Sequence, residues 1–316
     1  MSVIRHSAPT FGREEGREVA RLLETGQVAD PGRFERKLGR FLGRKTYALQ
    51  TGSAALHLAL LSLGVRKGER VALSTYTCAA VLNAVKYVGA RPLFLDVGPD
   101  GNITDVPDCV TIVAHMFGHP VPFGGPRIIE DFAMAVGSRK PRGPAIGSFY
   151  ATKVMTTGHG GFITGCDVED LLQYDNREDY QVRYNYRLSG LAAAVGEIQL
   201  KKLPEFIQRR RQIAEYYYRE LDGSRVELPP RNRNHIFFRY VVRPKDADRL
   251  IRYLARRGIE AKRPVWRPLH TYFSGSRGKY RGAEEMHRRA VSLPIYPGLT
   301  DEEASRVVEA VRAFPG

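Results

Sequence analysis

Short apolar runs alternate with helical patterns over residues 45–200 of the sequence. The helical patterns repeat apolar residues every three to four positions, and the shorter apolar runs are typical of buried strands. The predicted strands cover residues 45–50, 70–74, 91–96, 110–115, 127–130 and 162–165. The predicted helices between them cover residues 53–63 and 78–88, and Gly89 ends the second. This alternation predicts a mostly parallel sheet that is covered by helices.

The pattern changes in the C-terminal half of the chain. Residues 188–203 and 204–221 predict two long helices, and the second begins with Pro204, which suits a first helical turn. After a linker at 229–234, the predicted elements are strands at 235–242 and 259–263 and helices at 247–257 and 301–314. We therefore expect an α/β protein with a large domain over residues 1–222 and a smaller C-terminal α/β domain over residues 223–316.

The composition excludes several classes of protein. With 43% hydrophobic and 26% charged residues, the chain resembles an ordinary soluble globular protein. It contains no apolar run long enough for a membrane helix and no N-terminal secretion signal. Its three cysteines are widely spaced, which argues against a disulfide framework and against a zinc site. A reducing cytoplasm is therefore the expected location, and we expect no metal.

The chain carries a net charge of +15, from 49 basic and 34 acidic residues. Such an excess is a feature of many nucleic-acid-binding proteins. Here the arginines are scattered, and no zinc-finger or RNA-binding motif accompanies them. We therefore expect no nucleic-acid partner. Solvated helix faces, or a cleft that attracts phosphorylated substrates, are the remaining explanations for the charge.

Two residues of opposite charge stand near the ends of apolar runs. Asp131 follows the apolar run at 127–130, and Lys153 ends the segment Ser-Phe-Tyr-Ala-Thr-Lys at 148–153. A pyridoxal phosphate site requires a lysine that forms an imine with the cofactor aldehyde and a carboxylate that keeps the pyridine nitrogen protonated. The cofactor would provide the buried carboxylate with a partner, and burial would lower the pKa of the lysine.

The start of the first predicted helix is a candidate binding site for a phosphate group. Gly52, Ser53 and Ala54 follow the first predicted strand, and small residues allow a phosphate to approach the free N–H groups of a helix start. Ser148 offers a second hydroxyl group. The alternative is that Ser53 only caps the helix and that Ser148 is an ordinary polar residue at a strand end.

Further segments that match known sequence motifs are spread over most of the chain. Residues 51–60 resemble a phosphate-binding helix start, and residues 115–120 resemble a His-Leu-Tyr-Gly-Gln-Pro turn. Other matching segments lie at residues 76–77, 83–90, 92–97, 185–188 and 293–300. In this order the segments resemble the DegT/DnrJ/StrS family of pyridoxal-phosphate-dependent sugar aminotransferases, which have the aspartate-aminotransferase fold, known as fold type I.

The resemblance implies a role for each matching residue. Lys153 would hold pyridoxal 5'-phosphate and later move a proton between substrate and cofactor, and Asp131 would pair with the pyridine nitrogen. Asn185 would reach the cofactor phosphate of a second subunit, which implies a homodimer with shared active sites. The phosphate within one subunit would be held by Gly52, Ser53, Ala54 and Ser148.

The reaction implied by the resemblance is a transamination. An amino acid, with glutamate as the family's usual donor, would supply the amine, and a keto group on a nucleotide-linked sugar would accept it in aminosugar biosynthesis. A cyclitol or another small ketone is an alternative acceptor. Sugar dehydration is disfavoured, because the dehydratases of the family carry histidine where this chain has Lys153.

The chain departs from the family pattern at several positions close to the expected cofactor. Met134 stands where a glutamine usually lies near the ring hydroxyl, and Cys78 aligns with the aromatic residue that usually stacks on the ring. Tyr76 is the alternative stacking residue, and the connection before the lysine is shorter than usual. These departures keep open a second hypothesis, a pyridoxal-phosphate-binding homologue that is non-catalytic or has altered chemistry.

Overall fold

A computed structural model describes residues 3–26, 28–176, 178–274 and 278–316 of the chain. Its central feature is a seven-stranded sheet in the order β1-β7-β6-β5-β4-β2-β3. The strands are β1 Thr46–Leu49, β2 Arg70–Ser74, β3 Arg91–Leu95, β4 Val110–Ala114, β5 Ile128–Asp131, β6 Ala145–Ser148 and β7 Gly161–Thr164. Strands β2 to β6 pair in parallel, and β7 runs antiparallel to both β6 and β1. The predicted mostly parallel sheet is confirmed.

Helices cover this sheet, as the alternating pattern predicted. They are α1 Arg13–Thr25, α2 Gly32–Leu42, α3 Gly52–Ser62 and α4 Ala79–Tyr87. Residues 54–60 of α3 are buried all round the helix, because α3 packs between the sheet and α4. The predicted bounds of α3 and α4 differ from the observed ones by no more than one residue at each end. Helices α1 and α2 were not predicted, although Phe34, Leu38 and Leu42 form an apolar stripe at helical spacing in α2.

The two long helices predicted on either side of Pro204 are a single helix, so that prediction was wrong. Helix α5 spans Gly190–Leu221, and Pro204 lies inside it. An internal proline costs a helix about 3 kcal/mol, since it removes one backbone hydrogen bond and clashes with the preceding turn. Leu203, Phe206 and Ile207 are buried around this point, and their packing offsets that cost.

The C-terminal region contains a second, smaller sheet. Strands β8 Tyr240–Val242 and β9 Val291–Leu293 pair in antiparallel fashion. The helices are α6 Ala247–Ala255, α7 Arg281–Arg289 and α8 Asp301–Arg312. Thr300 caps α8 as predicted, since its side chain accepts a hydrogen bond from the N–H of Glu303 at 3.1 Å. One hydrophobic cluster joins β8, β9, α6 and α8 to the last two turns of α5 and to Ile4.

Two predicted strands of this region are only partly formed. Of residues 235–242 only the last three form β8, because Phe237 has a φ of 50°, in the left-handed region. Residues 259–263 contribute two isolated bridges, from Ile259 and Lys262. The domain division at residues 222 and 223 stays a prediction. In the part of the chain that the structure describes, no helix combines the length and the apolar character needed to span a membrane.

Candidate active site

The residues predicted to hold the cofactor meet at one edge of the large sheet. Asp131 is the last residue of β5, and Ser148 is the last residue of the parallel neighbour β6. Strand β1 runs in the same direction as β6, because both are antiparallel to β7, and Gly52 follows its end. Lys153 lies in the turn after β6, where its N–H donates to the carbonyl of Tyr150 at 2.9 Å. Ligands bind at this carboxyl edge in open α/β sheets.

Asp131 and Lys153 are a buried carboxylate and a neighbouring amine. The Asp131 side chain is almost entirely buried, and its Oδ1 accepts a hydrogen bond from the N–H of Ala133 at 2.8 Å. Burial raises the pKa of Asp131, and this hydrogen bond and the charge of Lys153 oppose the rise. Burial lowers the pKa of Lys153, while Asp131 and Cys78 oppose the fall and Arg239 adds to it. A cationic heterocycle beside Asp131 would supply the partner that a buried carboxylate needs.

The start of α3 forms a cradle with the hydrogen-bond donors that a phosphate requires. Thr51 caps the helix by accepting a hydrogen bond from the N–H of Ala54 at 3.0 Å, which leaves the N–H groups of Gly52 and Ser53 without an acceptor inside the helix. A Cβ on Gly52 would lie 3.1 Å from the Cβ of Ser148, so the serine faces the helix start. The residues present therefore fit the phosphate of pyridoxal 5'-phosphate.

Strand β7 limits this cradle from the other side. A Cβ on Gly161 would lie 2.6 Å from the backbone nitrogen of Gly52, a distance that real contacts do not reach. Glycine at position 161 therefore lets β7 approach the start of α3. The glycine-rich stretch after the lysine thus has a structural reason, which is the close approach of two backbones.

Two of the predicted ring contacts are placed very differently. Cys78 is the residue before the first turn of α4, is exposed, and lies near enough to Lys153 to influence the pKa of the lysine. Tyr76 is completely buried, with its ring edge-on to Phe117 at 6.5 Å between centroids. The cofactor contact of Tyr76 stays a prediction, and its packing in the core does not support it.

Met134 and Asn185 take opposite positions with respect to solvent. Met134 is partly buried and packs against two hydrophobic clusters, which join the large sheet to the C-terminal region. Asn185 is exposed, and its backbone carbonyl accepts a hydrogen bond from Gln50 Nε2 at 3.1 Å. The roles predicted for both residues stay predictions.

A buried network behind the site explains how the short connection before Lys153 is held. Glu130 is fully buried and accepts hydrogen bonds from Arg139 Nη2 and from the backbone N–H groups of Arg142 and Gly143, the last two at 2.5 and 3.1 Å. These bonds, with the help of His115, hold the pKa of Glu130 below its usual value although burial opposes them. The charged Glu130 therefore holds residues 139–143 against strand β5.

Two residues at the site were missed by the sequence analysis, Phe238 and Arg239. Lys153 Nζ lies 5.5 Å from the centroid of the Phe238 ring, and Arg239 Cζ lies 4.5 Å from it. Both residues belong to the segment that was predicted as a strand of the smaller domain. An arginine inside the apolar run at 236–242 was the available signal, because arginine is rarely placed among buried residues without a role.

The fold and the site together define a fold-type-I transferase that depends on pyridoxal phosphate. A sequence model of the DegT/DnrJ/EryC1/StrS aminotransferase family matches residues 9–122 and 125–312. The chain belongs to this family, so it is an aminotransferase whose cofactor is pyridoxal 5'-phosphate. The family, fold class and cofactor predicted from the sequence are confirmed.

Individual relatives are similar over almost the whole chain. GDP-perosamine synthase of Escherichia coli O157:H7 is 28% identical over 358 aligned positions, which cover 97% of both chains. The dTDP-4-dehydro-2,3,6-trideoxy-D-glucose 4-aminotransferase of Saccharopolyspora spinosa is 29% identical and covers 95% of this chain and 94% of its own. The crystal structure of the aminotransferase TlmJ from Streptoalloteichus hindustanus superimposes with a TM-score of 0.90, at 27% identity over 99% of this chain and 98% of that one.

The alignment with the E. coli relative also shows that this chain is the shorter of the two. It extends over 358 positions, whereas this chain has 316 residues. The relative therefore carries internal segments that this chain lacks. That the connection between Asp131 and Lys153 is shorter than usual stays a prediction.

Proposed function

We propose that this aminotransferase moves an amino group from an amino acid, with glutamate as the donor, to the keto group of a nucleotide-linked sugar in aminosugar biosynthesis. The observation that carries the proposal is the meeting of Asp131, Lys153 and the start of α3 at one edge of the sheet. The relatives named above act on GDP- and dTDP-linked sugars by their names. The net charge of +15 suits a substrate that carries a diphosphate.

Each residue of the site has a part that its position allows. Asp131 would pair with the protonated ring nitrogen, and Gly52, Ser53 and Ala54 at the start of α3 would hold the phosphate together with the hydroxyl of Ser148. When bound, pyridoxal phosphate accepts electrons from the carbon that carries the amine. We propose that Cys78 and Met134 line the ring, where a thiol and a thioether would replace an aromatic face and an amide.

Lys153 Nζ would attach the cofactor and, once released from it, serve as the base and acid of the proton transfer. A buried lysine loses its proton more readily than a lysine in water, because the charged form is poorly solvated. Asp131 limits this effect by stabilising the ammonium form. Burial and Asp131 thus act on the pKa of the amine in opposite directions, which suits a group that both takes and returns a proton.

We propose that the working unit is a homodimer in which Asn185 reaches the phosphate site of the second subunit. Asn185 is exposed, and the segment before it displays Tyr180 and Val182 with 95% and 66% of their surfaces in solvent. Apolar side chains displayed in this way are typical of surfaces that a partner covers. The cysteines among the described residues are unpaired, which agrees with the proposed cytoplasmic location.

Subunit complementation tests the shared site. In a mixed dimer of Lys153→Ala and Asn185→Ala chains, one of the two sites would combine the intact lysine with the intact asparagine. Mixing two inactive variants should therefore restore about a quarter of the wild-type activity, since half of the dimers are mixed and each has one good site. Activity that stays absent after subunit exchange would show that Asn185 acts within its own chain.

The proposed reaction is tested in its two halves. Addition of L-glutamate to the protein loaded with pyridoxal phosphate should change the absorbance of the bound cofactor, and Lys153→Ala should abolish this change. Nucleotide-linked keto sugars, a cyclitol ketone and small ketones are then added to the aminated form, and the acceptor is the compound that restores the first spectrum. A bound cofactor that no amino acid alters would contradict the proposal and favour the non-catalytic alternative.

A further inference from the structure

The loop between β6 and β7 carries Lys153 and is closed on itself at its base. The carbonyl of Phe149 accepts hydrogen bonds from the hydroxyl of Thr156 at 3.1 Å and from the N–H of Thr157 at 3.0 Å. The same hydroxyl accepts a hydrogen bond from the N–H of Gly158 at 2.9 Å. Thr156 therefore joins the two ends of an irregular loop, and Lys153 lies between them.

A glutamine of α5 holds this loop from outside. Gln199 is 1% exposed, and its Oε1 accepts a hydrogen bond from the N–H of Thr156 at 3.1 Å. Its Nε2 donates to the carbonyl of Thr10 and to Oε1 of Glu15, both at 2.8 Å. A carbonyl and an ionised carboxylate only accept hydrogen bonds, so these two partners require the NH2 end of the amide. The carbonyl end of the amide is thereby directed to the loop.

Glu15 is itself fixed at the start of α1. Its carboxylate accepts a hydrogen bond from the N–H of Gly12 at 2.9 Å and pairs with the amine of Lys202 at 2.9 Å. Burial raises the pKa of Glu15, but hydrogen bonds from Lys202 and Gln199 outweigh burial and lower that pKa below its usual value. Glu15 is therefore ionised near neutral pH. A chain of buried hydrogen bonds thus connects the N-terminal segment, through Gln199, to the loop that carries the lysine.

Resting on the proposed function, we propose that Gln199 is a positioning residue, which fixes the backbone that carries Lys153 and so keeps its amine in place for the cofactor. Val154 and Met155 follow the lysine and are buried in the hydrophobic cluster below the loop. Apolar packing holds the loop down, whereas a hydrogen bond also sets the direction of the backbone. Because a misplacement of about 1 Å can slow a reaction about a hundredfold, this direction affects the rate.

Hydrogen exchange in the cofactor-free protein tests the proposal without turnover. Gln199→Met keeps the size of the side chain but removes its hydrogen bonds to Thr156, Thr10 and Glu15. Peptides that cover residues 149–158 should then exchange about ten- to a hundredfold faster than in the wild type, because the N–H of Thr156 loses its acceptor. Gln208→Met, at an exposed glutamine of the same helix, is the matched control and should leave this exchange unchanged.

The protein loaded with pyridoxal phosphate gives a second readout. At saturating glutamate, Gln199→Met should slow the first half-reaction about tenfold, because the lysine that moves the proton is less well placed. The KM for glutamate should stay the same, since Gln199 acts on the lysine loop and not on the donor. The fraction of Lys153 that borohydride links to the cofactor should fall. A raised KM with an unchanged maximal rate would overturn the proposal.

Lys202→Met separates positioning of the lysine from attachment of α1. It removes the ion pair with Glu15 and leaves the hydrogen bond between Gln199 and Thr156 in place. This variant should have a lower melting temperature, with loop exchange and maximal rate close to those of the wild type. If Lys202→Met changes exchange and rate as much as Gln199→Met does, Gln199 only attaches α1 and the inference is wrong.

A milder variant keeps the test open if Gln199→Met does not fold. Gln199→Asn retains the amide on a side chain that is one methylene shorter, so loop exchange should rise and the maximal rate should fall in the same direction as in Gln199→Met. Wild-type exchange and rate in Gln199→Asn would contradict the inference. If the wild type reacts with no amino acid, the proposed function is wrong, while exchange in the cofactor-free protein still decides whether Gln199 orders the lysine loop.

Discussion

The two sides of the active site are built in different ways. On the side of the large sheet, Asp131 and Ser148 end adjacent parallel strands, so the strand register places them. On the side of the C-terminal region, Phe238 and Arg239 lie in an irregular segment that two backbone hydrogen bonds attach to the turn at 116–118. The first side follows largely from local sequence patterns, although strand β6, which ends at Ser148, was not predicted. The second side depends on contacts between distant parts of the chain.

The two sides also differ in electrostatics. The sheet side pairs a buried carboxylate with an amine, and each stabilises the charged form of the other. The opposite side is cationic and lacks such compensation at Arg239. The sheet side therefore suits a cationic cofactor ring, and the opposite side carries a positive charge that an anion would neutralise.

Among substitutions that leave Lys153 and Asn185 in place, the largest effect is expected from Asp131→Asn, which removes the carboxylate of the sheet side. Breaking a buried charge pair costs about 3–5 kcal/mol, so transamination should slow by about a hundredfold or more. Single-turnover rates with glutamate measure the loss. Asp108→Asn is the control, because Asp108 is an exposed carboxylate paired with Arg127. A variant that keeps most of its rate would show that Asp131 does not support the ring.

Gly52→Ala should weaken the phosphate cradle without removing any charge. The added methyl group would lie 3.1 Å from the Cβ of Ser148, in the cradle that we propose for the phosphate. Overpacking of this kind costs about 1–3 kcal/mol, so the Kd for pyridoxal phosphate should rise about tenfold. Gly16→Ala in α1 is the matched control, since nothing lies within 4 Å of its added methyl. Equal cofactor affinity in both variants would place the phosphate elsewhere.

Much of the sheet side was predictable, because neighbouring residues determine it. The pattern at residues 45–131 predicted the strands and helices that place Gly52 and Asp131. The segment at 148–153 led to the prediction that Lys153 holds the cofactor. The other side was not predictable from local pattern. The run at 235–242 has the pattern of a strand, but Phe237 adopts a left-handed backbone. Hydrogen bonds from this segment to the carbonyls of Phe117 and Gly118 outweigh its strand propensity.

Arg239→Gln should shift the pH dependence of the first half-reaction. Arg239 on one side of the site affects the charge of Lys153 on the other side. The positive charge of Arg239 lowers the pKa of Lys153, so its removal stabilises the ammonium form and raises that pKa. More alkaline conditions are then needed to free the amine, and the midpoint of the rate profile should move to higher pH. Arg231→Gln is the control, because it removes an exposed guanidinium that pairs with Glu215. It should leave the midpoint of the rate profile unchanged. A shift to lower pH in the Arg239 variant would contradict the proposed coupling.

The smallest effect at neutral pH is expected at His235, which stacks on Phe237 with 4.0 Å between ring centroids. Burial lowers the pKa of His235 to about 3 from a usual value of 6.5. The folded protein therefore binds a proton less readily than the unfolded chain, and stability should fall as the pH drops from 6.5 toward 3. Urea unfolding at several pH values should show a shallower acid loss in His235→Asn than in the wild type. If the free energy of unfolding fell equally steeply with pH in both proteins, the acid loss would not arise from His235.

The central claim is that Lys153 carries the cofactor, and chemical trapping tests it most directly. Borohydride reduction of the protein loaded with pyridoxal phosphate fixes the cofactor to the amine that holds it, and peptide mass mapping identifies the residue. We predict that the added mass lies on the peptide that contains Lys153 and is absent after Lys153→Ala. A label on a different lysine, with Lys153 unmodified, would contradict the account.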